Sequence, residues 1–193
     1  MRFGLKKLAF FVGWAICAES SGHPQDVIDR LQPLVETSAR RLAIAEQVAL
    51  AKWDSKRPVE DASREEQVIA SATKAGQSRG LDPASVSNFF RAQIEANKLV
   101  QYALLAEWRR TGKAPDHKPV DLGRTIRPEL DEVDKELIAE LEESTAIRAS
   151  ASCRIEIAKA AGRYVSAHKN DLGPLEGIAL DRALASACTG PQQ

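Results

Sequence analysis

The chain of 193 residues reads as all-α: a single-domain bundle of about six helices. Three observations carry that expectation. Ala, Leu, Glu, Arg and Lys, the strong helix formers, are abundant. No Thr- and Val-rich run alternates as a strand would. Apolar residues recur at spacings of three and four, between punctuation by Asp, Pro and Gly.

The elements follow in order. "HPQDVIDRLQPLVETSARRLAIAEQVALAKWDS" is one long helix with a bend expected near Pro33, whose ring excludes the ladder hydrogen bond. "KRPVED" breaks it at Pro58. Asp61 then caps a helix through "REEQVIASATKAGQSR", which stops at Gly80. Asp82 followed by Pro83 supplies an N-cap and a residue preset for the first helical position. That helix continues through "VSNFFRAQIEANKLVQYALLAEWRR". "TGKAPDHKP" is a loop. Asp121 opens the fourth segment, Pro128 delays its regular part, and "ELDEVDKELIAELEES" completes it. Two shorter helices, about 151–168 and 174–188, are divided by "HKNDLGP".

The first residues have a different character. "MRFGLKKLAFFVGWAICAES" joins basic Arg2, Lys6 and Lys7 to an apolar run from Leu8 to Ala18, with small residues after it. This is the pattern of a secretory signal peptide over 1–18, with cleavage allowed up to about residue 21. The apolar run is too short to span a bilayer comfortably. The expected mature domain is 19–193, periplasmic or secreted. Its charge is 24 basic against 27 acidic residues once Arg2, Lys6 and Lys7 leave. No general basic field exists for nucleic acid or for an anionic membrane. Cys17 leaves with the leader, and Cys153 and Cys188 remain. Two cysteines in an exported chain are most simply a disulfide, two buried thiols being the alternative.

The informative residues are polar ones on inward faces. Arg41 and Lys52 are eleven residues apart, so a helix returns them to nearly one face, about 16 Å apart along the axis. Leu42, Ala45, Val48 and Ala49 form the apolar stripe beside them. Asp61, Arg64 and Glu65 fall in the first turn of the second helix, where free N–H groups favour anions. Asn97 and Gln101 share a face of the third helix. Arg127 stands near the start of a later one. Ordinary readings exist for each: snorkelling cations, a simple cap, surface amides. A dicarboxylate ligand would pair several of these cations at once. His23, His117 and His168 fall at loops or helix ends and form no nucleophile–base pair. No metal-ligand spacing and no Gly-rich phosphate loop is present, so neither metal nor cofactor is expected.

In order, "ARRLAIAEQVALAKW", "RPVEDASREEQV" and "DPASVSNFFRAQIEANKLVQY" resemble the helical chorismate mutases. "DLGRTIRPELDEVDKELI" is similar to their fourth helix. The leader, the single long chain and the cysteine-bearing "SCRIEIAKA" and "ALASAC" resemble the exported γ-class. The resemblance implies a domain with catalytic helices about 24–145 and disulfide-linked helices about 151–188. It implies rearrangement of chorismate to prephenate, in a site inside one chain of a homodimer, with no cofactor and no membrane partner. Arg41 and Arg64 would grip substrate carboxylates. Lys52 and Gln101 would donate to the ether oxygen of the breaking bond. Asp61 and Glu65 would meet the ring hydroxyl, and Val68 would line the pocket. Asn97 stands where the family often has Ser or Thr, and would hold a carboxylate or a neighbouring side chain. Arg127 would complete the site, with Arg124 as second candidate. From the residues alone, two other classes stay open. One is a non-enzymatic exported chaperone or adaptor; the other is an enzyme of a different small dicarboxylate.

Overall fold

The computed structural model describes residues 24–190. The expected leader lies outside them. Among the described residues there are eight α-helices and no strand: α1 (Pro24–Ala43), α2 (Ala45–Ser55), α3 (Ala62–Gln77), α4 (Pro83–Thr111), α5 (Arg127–Glu143), α6 (Thr145–Arg148), α7 (Cys153–Ala167) and α8 (Pro174–Leu184). A π-helical turn, Leu122–Ile126, leads into α5. The difference from six has two sources. The long first helix divides at Ile44, and the single turn α6 follows α5. Pro33 does not interrupt α1; it sits exposed within it, and the break comes eleven residues later at Ile44.

The caps behave as their residue types require. The Asp61 carboxylate accepts from the Arg64 N–H at 3.2 Å, and Asp82 accepts from the Ser85 N–H at 2.7 Å. Each satisfies a backbone donor that the first helical turn leaves free. The chain leaves α3 through Gly80, at φ 78°, where a side chain would be strained. Asp121 accepts from the N–H groups of Gly123 and Arg124, at 2.8 and 3.0 Å, and so opens the π turn. Pro128 is then tolerated at the start of α5 rather than delaying it.

α1 and α4 form the centre. α1 packs against α5, α7 and α8, while α4 packs against α2, α3 and α8. Leu31, Leu34 and Val35 of α1 meet Phe89 and Phe90 of α4, Leu137 and Leu141 of α5, and Leu180 of α8; all are buried. Truncating any of these leucines to Ala would cost about 2–5 kcal/mol, the usual range for a core cavity. Two smaller apolar clusters lie at the other end. Ile44, Val48 and Ala51 join Ile126 and Val133. Ala49, Leu50 and Val59 join Leu105 and Trp108. These clusters flank the cavity described below.

Cys153, at the start of α7, is bonded to Cys188, with Cα atoms 5.8 Å apart. Cys188 falls past the end of α8, so the bond ties α7 to the tail segment rather than helix to helix. Arg148 closes the same end from inside. Its guanidinium is buried and donates to the carbonyls of Ala187 and Leu141 and to Ser85 Oγ, at 2.7 to 2.9 Å. Burial lowers its pKa to about 10.

Candidate active site

One cavity of about 420 Å³ opens among α1 to α5 and the loop before α3. That volume lies within the range of small-molecule sites, roughly 300–1,000 Å³. Arg41, Lys52, Asp61, Arg64, Glu65, Val68, Asn97, Gln101 and Arg127 all line it. Five helices of one chain therefore bring together every site residue singled out by sequence except Arg124. Arg124 does not reach the cavity; its side chain is 91% exposed and stands 4.0 Å from Asp121. The π turn sets the two arginines three positions apart, with Thr125 and Ile126 between them, and only Arg127 turns inward.

The sequence reading missed other residues of the wall. Arg57, Glu60, Lys98 and Asp134 also line the cavity. The full lining holds six cations (Arg41, Lys52, Arg57, Arg64, Lys98, Arg127) and four carboxylates (Glu60, Asp61, Glu65, Asp134). The excess is two positive charges, the complement of a dicarboxylate. Asp134 was legible in principle: it lies three residues before Leu137 and four before Ile138, on the inward stripe of α5.

Arg41 is 4% exposed. Its Nε donates to Asp134 Oδ1 at 2.7 Å and its Nη1 to the Gln93 carbonyl at 3.4 Å. Burying a guanidinium without such partners would be prohibitive. Asp134 so neutralises Arg41 and fixes the plane of its fork. Lys52 is half-buried and donates from Nζ to the Val59 carbonyl. Burial lowers its pKa below the usual lysine value, although Asp61, Glu65 and Glu60 pull the other way. The bond also holds the loop before α3 against α2. Tyr102 of α4 lies beside Glu60 of the same loop, and the hydroxyl's interaction with the carboxylate lowers the Glu60 pKa and raises that of Tyr102.

At the N-terminus of α3, the Asp61 N–H donates to Glu65 Oε1 at 3.2 Å. Glu65 Oε2 accepts from Lys98 Nζ at 3.2 Å. Arg64 reaches across to Asp131 of α5 at 2.8 Å. Arg127 lies 3.6 Å from Asp61. The Arg64 and Arg127 pairs are partly exposed and worth little in water, so an incoming carboxylate can displace them. On α4, Asn97 and Gln101 are buried. Asn97 Nδ2 donates to the Arg41 carbonyl at 3.3 Å, and Gln101 Nε2 donates to Asn97 Oδ1 at 2.7 Å. Gln101 Oε1 is buried with no partner.

A bundle of helices around a cationic, dicarboxylate-sized cavity is the class the geometry defines. Residues 26–102 match the family model for chorismate mutase type II. The secreted chorismate mutase of Mycolicibacterium smegmatis is 31% identical over 158 residues, which are 82% of this chain and 86% of the relative. The crystal structure of chorismate mutase from Burkholderia phymatum superposes with a TM-score of 0.79 at 42% identity, covering 84% of this chain and 98% of that one. That from Burkholderia thailandensis gives 0.78 at 33% identity, over 82% and 99%. The chain belongs to the chorismate mutase family. That membership sets aside the non-enzymatic chaperone or adaptor.

Proposed function

We propose that the cavity rearranges chorismate to prephenate and that its residues act by position and charge alone. The reaction is an intramolecular pericyclic step: a C–O bond breaks and a C–C bond forms within one dianionic molecule. It needs no nucleophile, general base or redox group. It gains from holding the compact conformer and from stabilising negative charge that grows on the ether oxygen. The observation that carries the reading is the cavity's excess of two positive charges beside a buried amide.

The roles follow from side-chain chemistry. Arg41, Arg64 and Arg127 offer planar forks suited to carboxylates. Lys52 offers a compact charge and Gln101 a neutral N–H, the two donors for the ether oxygen. Asp61 and Glu65, at the start of α3, face the ring hydroxyl, and Val68 supplies apolar wall. Water bonds to the reactant's oxygen equally well, but must reorganise as charge develops; preset donors do not.

The setting is periplasmic or secreted. The leader pattern of residues 1–18, the Cys153–Cys188 bond and the secreted relatives support export. Among the described residues no helix is long and apolar enough to cross a membrane. A homodimer with a complete site in each chain is the assembly expected of the γ-class. Purified mature protein tests the activity directly: chorismate's ultraviolet absorbance should fall as prephenate accumulates. Saturable binding of chorismate without prephenate would point to another reaction of a small dicarboxylate.

A further inference from the structure

The helical ladder from α1 to α2 breaks at Ile44. There the Arg41 carbonyl oxygen accepts from Asn97 Nδ2 at 3.3 Å. A peptide carbonyl can only accept. Asn97 must therefore present its NH₂ to Arg41, and its Oδ1 then faces Gln101. That oxygen also can only accept, so Gln101 must turn Nε2 toward it, as the 2.7 Å bond records. The reverse arrangement would set two amide oxygens against each other, or an amide oxygen against a carbonyl. An amide nitrogen carries two hydrogens. One goes to Asn97, and the other remains for a ligand. Gln101 Oε1 is left buried and without a partner. The surroundings at Oε1 give no reason for this orientation; only the Asn97 side does.

We infer that Asn97 is a positioning residue that fixes the polarity of the Gln101 amide, so that the group presented to the reacting ether oxygen is N–H and not C=O. This rests on the proposed mutase reading, in which Gln101 donates to that oxygen. Freed from Asn97, the amide can rotate and place Oε1 toward the ether oxygen, where two acceptors repel. The break in the first helix thereby acquires a use: it supplies the fixed acceptor from which the relay starts. Asn97 and Gln101 stand four apart on one helix face, so the relay needs no further element.

A double-mutant cycle on chorismate turnover tests the inference, using Asn97→Ala, Gln101→Leu and the pair. Ala is the best helix former, and Asn97 borders the cavity, so the truncation can be accommodated. Asn97→Ala should lower kcat roughly fivefold to tenfold, the scale of one neutral hydrogen bond, with KM changed less than about twofold. In the Gln101→Leu background the same change should produce no further loss, because Asn97 acts through Gln101. Losses that multiply, with KM raised in both backgrounds, would show Asn97 gripping substrate directly and would overturn the inference. Asn97→Leu, which keeps the branched shape of the side chain without its hydrogen-bonding atoms, repeats the cycle if the Ala variant melts below the assay temperature. Wild-type protein that turns over no chorismate would sink the mutase reading itself, a result distinct from either outcome of the cycle.

Discussion

Arg41 of α1 and Asp134 of α5 form a buried ion pair at 2.7 Å, with side chains 4% and 12% exposed, on the wall of the cavity. The pair joins the two helices that carry the deepest cation and the last arginine of the site. Asp134→Ala leaves Arg41 charged and unpaired in the interior. Loss of one partner from a buried pair typically destabilises by about 3–5 kcal/mol. Thermal unfolding should show that loss without ligand and a partial recovery with a saturating dicarboxylate, which supplies the missing charge. An unchanged melting temperature would mean that the pair is dispensable.

The two arginines of the fourth segment should separate cleanly. Arg127 lines the cavity, whereas Arg124 is 91% exposed. Arg127→Ala should raise KM for chorismate at least about tenfold, as expected when a ground-state carboxylate contact is lost. Arg124→Ala should stay within about twofold of the parent, since an exposed pair with Asp121 contributes little. Steady-state kinetics of both variants decide it, and the reverse ranking would move the site's fifth wall to the π turn.

The Cys153–Cys188 bond encloses a segment with a sequence separation of 35. For such a loop the chain-entropy model gives roughly 4 kcal/mol. The bond lies at the α7 and tail end, and neither cysteine lines the cavity. Reduction should lower the melting temperature far more than it lowers kcat at 25 °C. Equal loss of both would tie the tail to the site.

The pH dependence has two parts. Lys52 must be protonated to set a positive charge against the ether oxygen, and burial lowers its pKa below the usual 10.5. The alkaline fall in kcat should therefore begin below the normal lysine range, after a plateau from about pH 5 to 8. For stability the sign is opposite to that of an ion-paired lysine. The unfolded chain holds this proton more tightly, so the penalty is present below the folded pKa. It is relieved as pH rises from the folded to the unfolded value. Gln101→Glu should turn the plateau into activity that declines as pH rises through the new carboxyl's pKa. A protonated carboxyl has one O–H to serve both Asn97 Oδ1 and the ether oxygen, so this variant should be slower than the parent even at low pH. A flat profile at full rate up to pH 8 would mean that Gln101 is not the donor to the ether oxygen.

Much of this was legible in the sequence because each clue was local. Asp61, Asp82 and Gly80 set helix ends through their own backbone preferences, and the structure places the ends there. Arg41, Lys52, Asn97 and Gln101 declared themselves as polar residues at inward helical positions. What local rules do not fix is pairing across the bundle. Asp131 and Asp134 read as two acids among many in "ELDEVDKEL", and only packing of α5 on α1 and α3 makes them the partners of Arg64 and Arg41. The break at Ile44 has no proline or glycine to announce it, whereas Pro33 lies within the unbroken α1. A proline on the exposed face of a long helix can be carried when the other face is firmly packed, as Leu31, Leu34 and Val35 are here. The choice between Arg127 and Arg124 turned on a π turn, whose altered winding shifts the face that follows and has no strong sequence signature.

On the proposed mechanism, two inward-facing donors, Lys52 and Gln101, stabilise charge developing in the transition state. The most direct measurement is kcat on chorismate for the parent and for Lys52→Ala, with circular dichroism of both to confirm equal helix content. The expected result is prephenate formation by the parent and a kcat lower by roughly 10²-fold or more in the variant, the scale for losing one preorganised donor. A Lys52→Ala protein that keeps a near-parental kcat would contradict it.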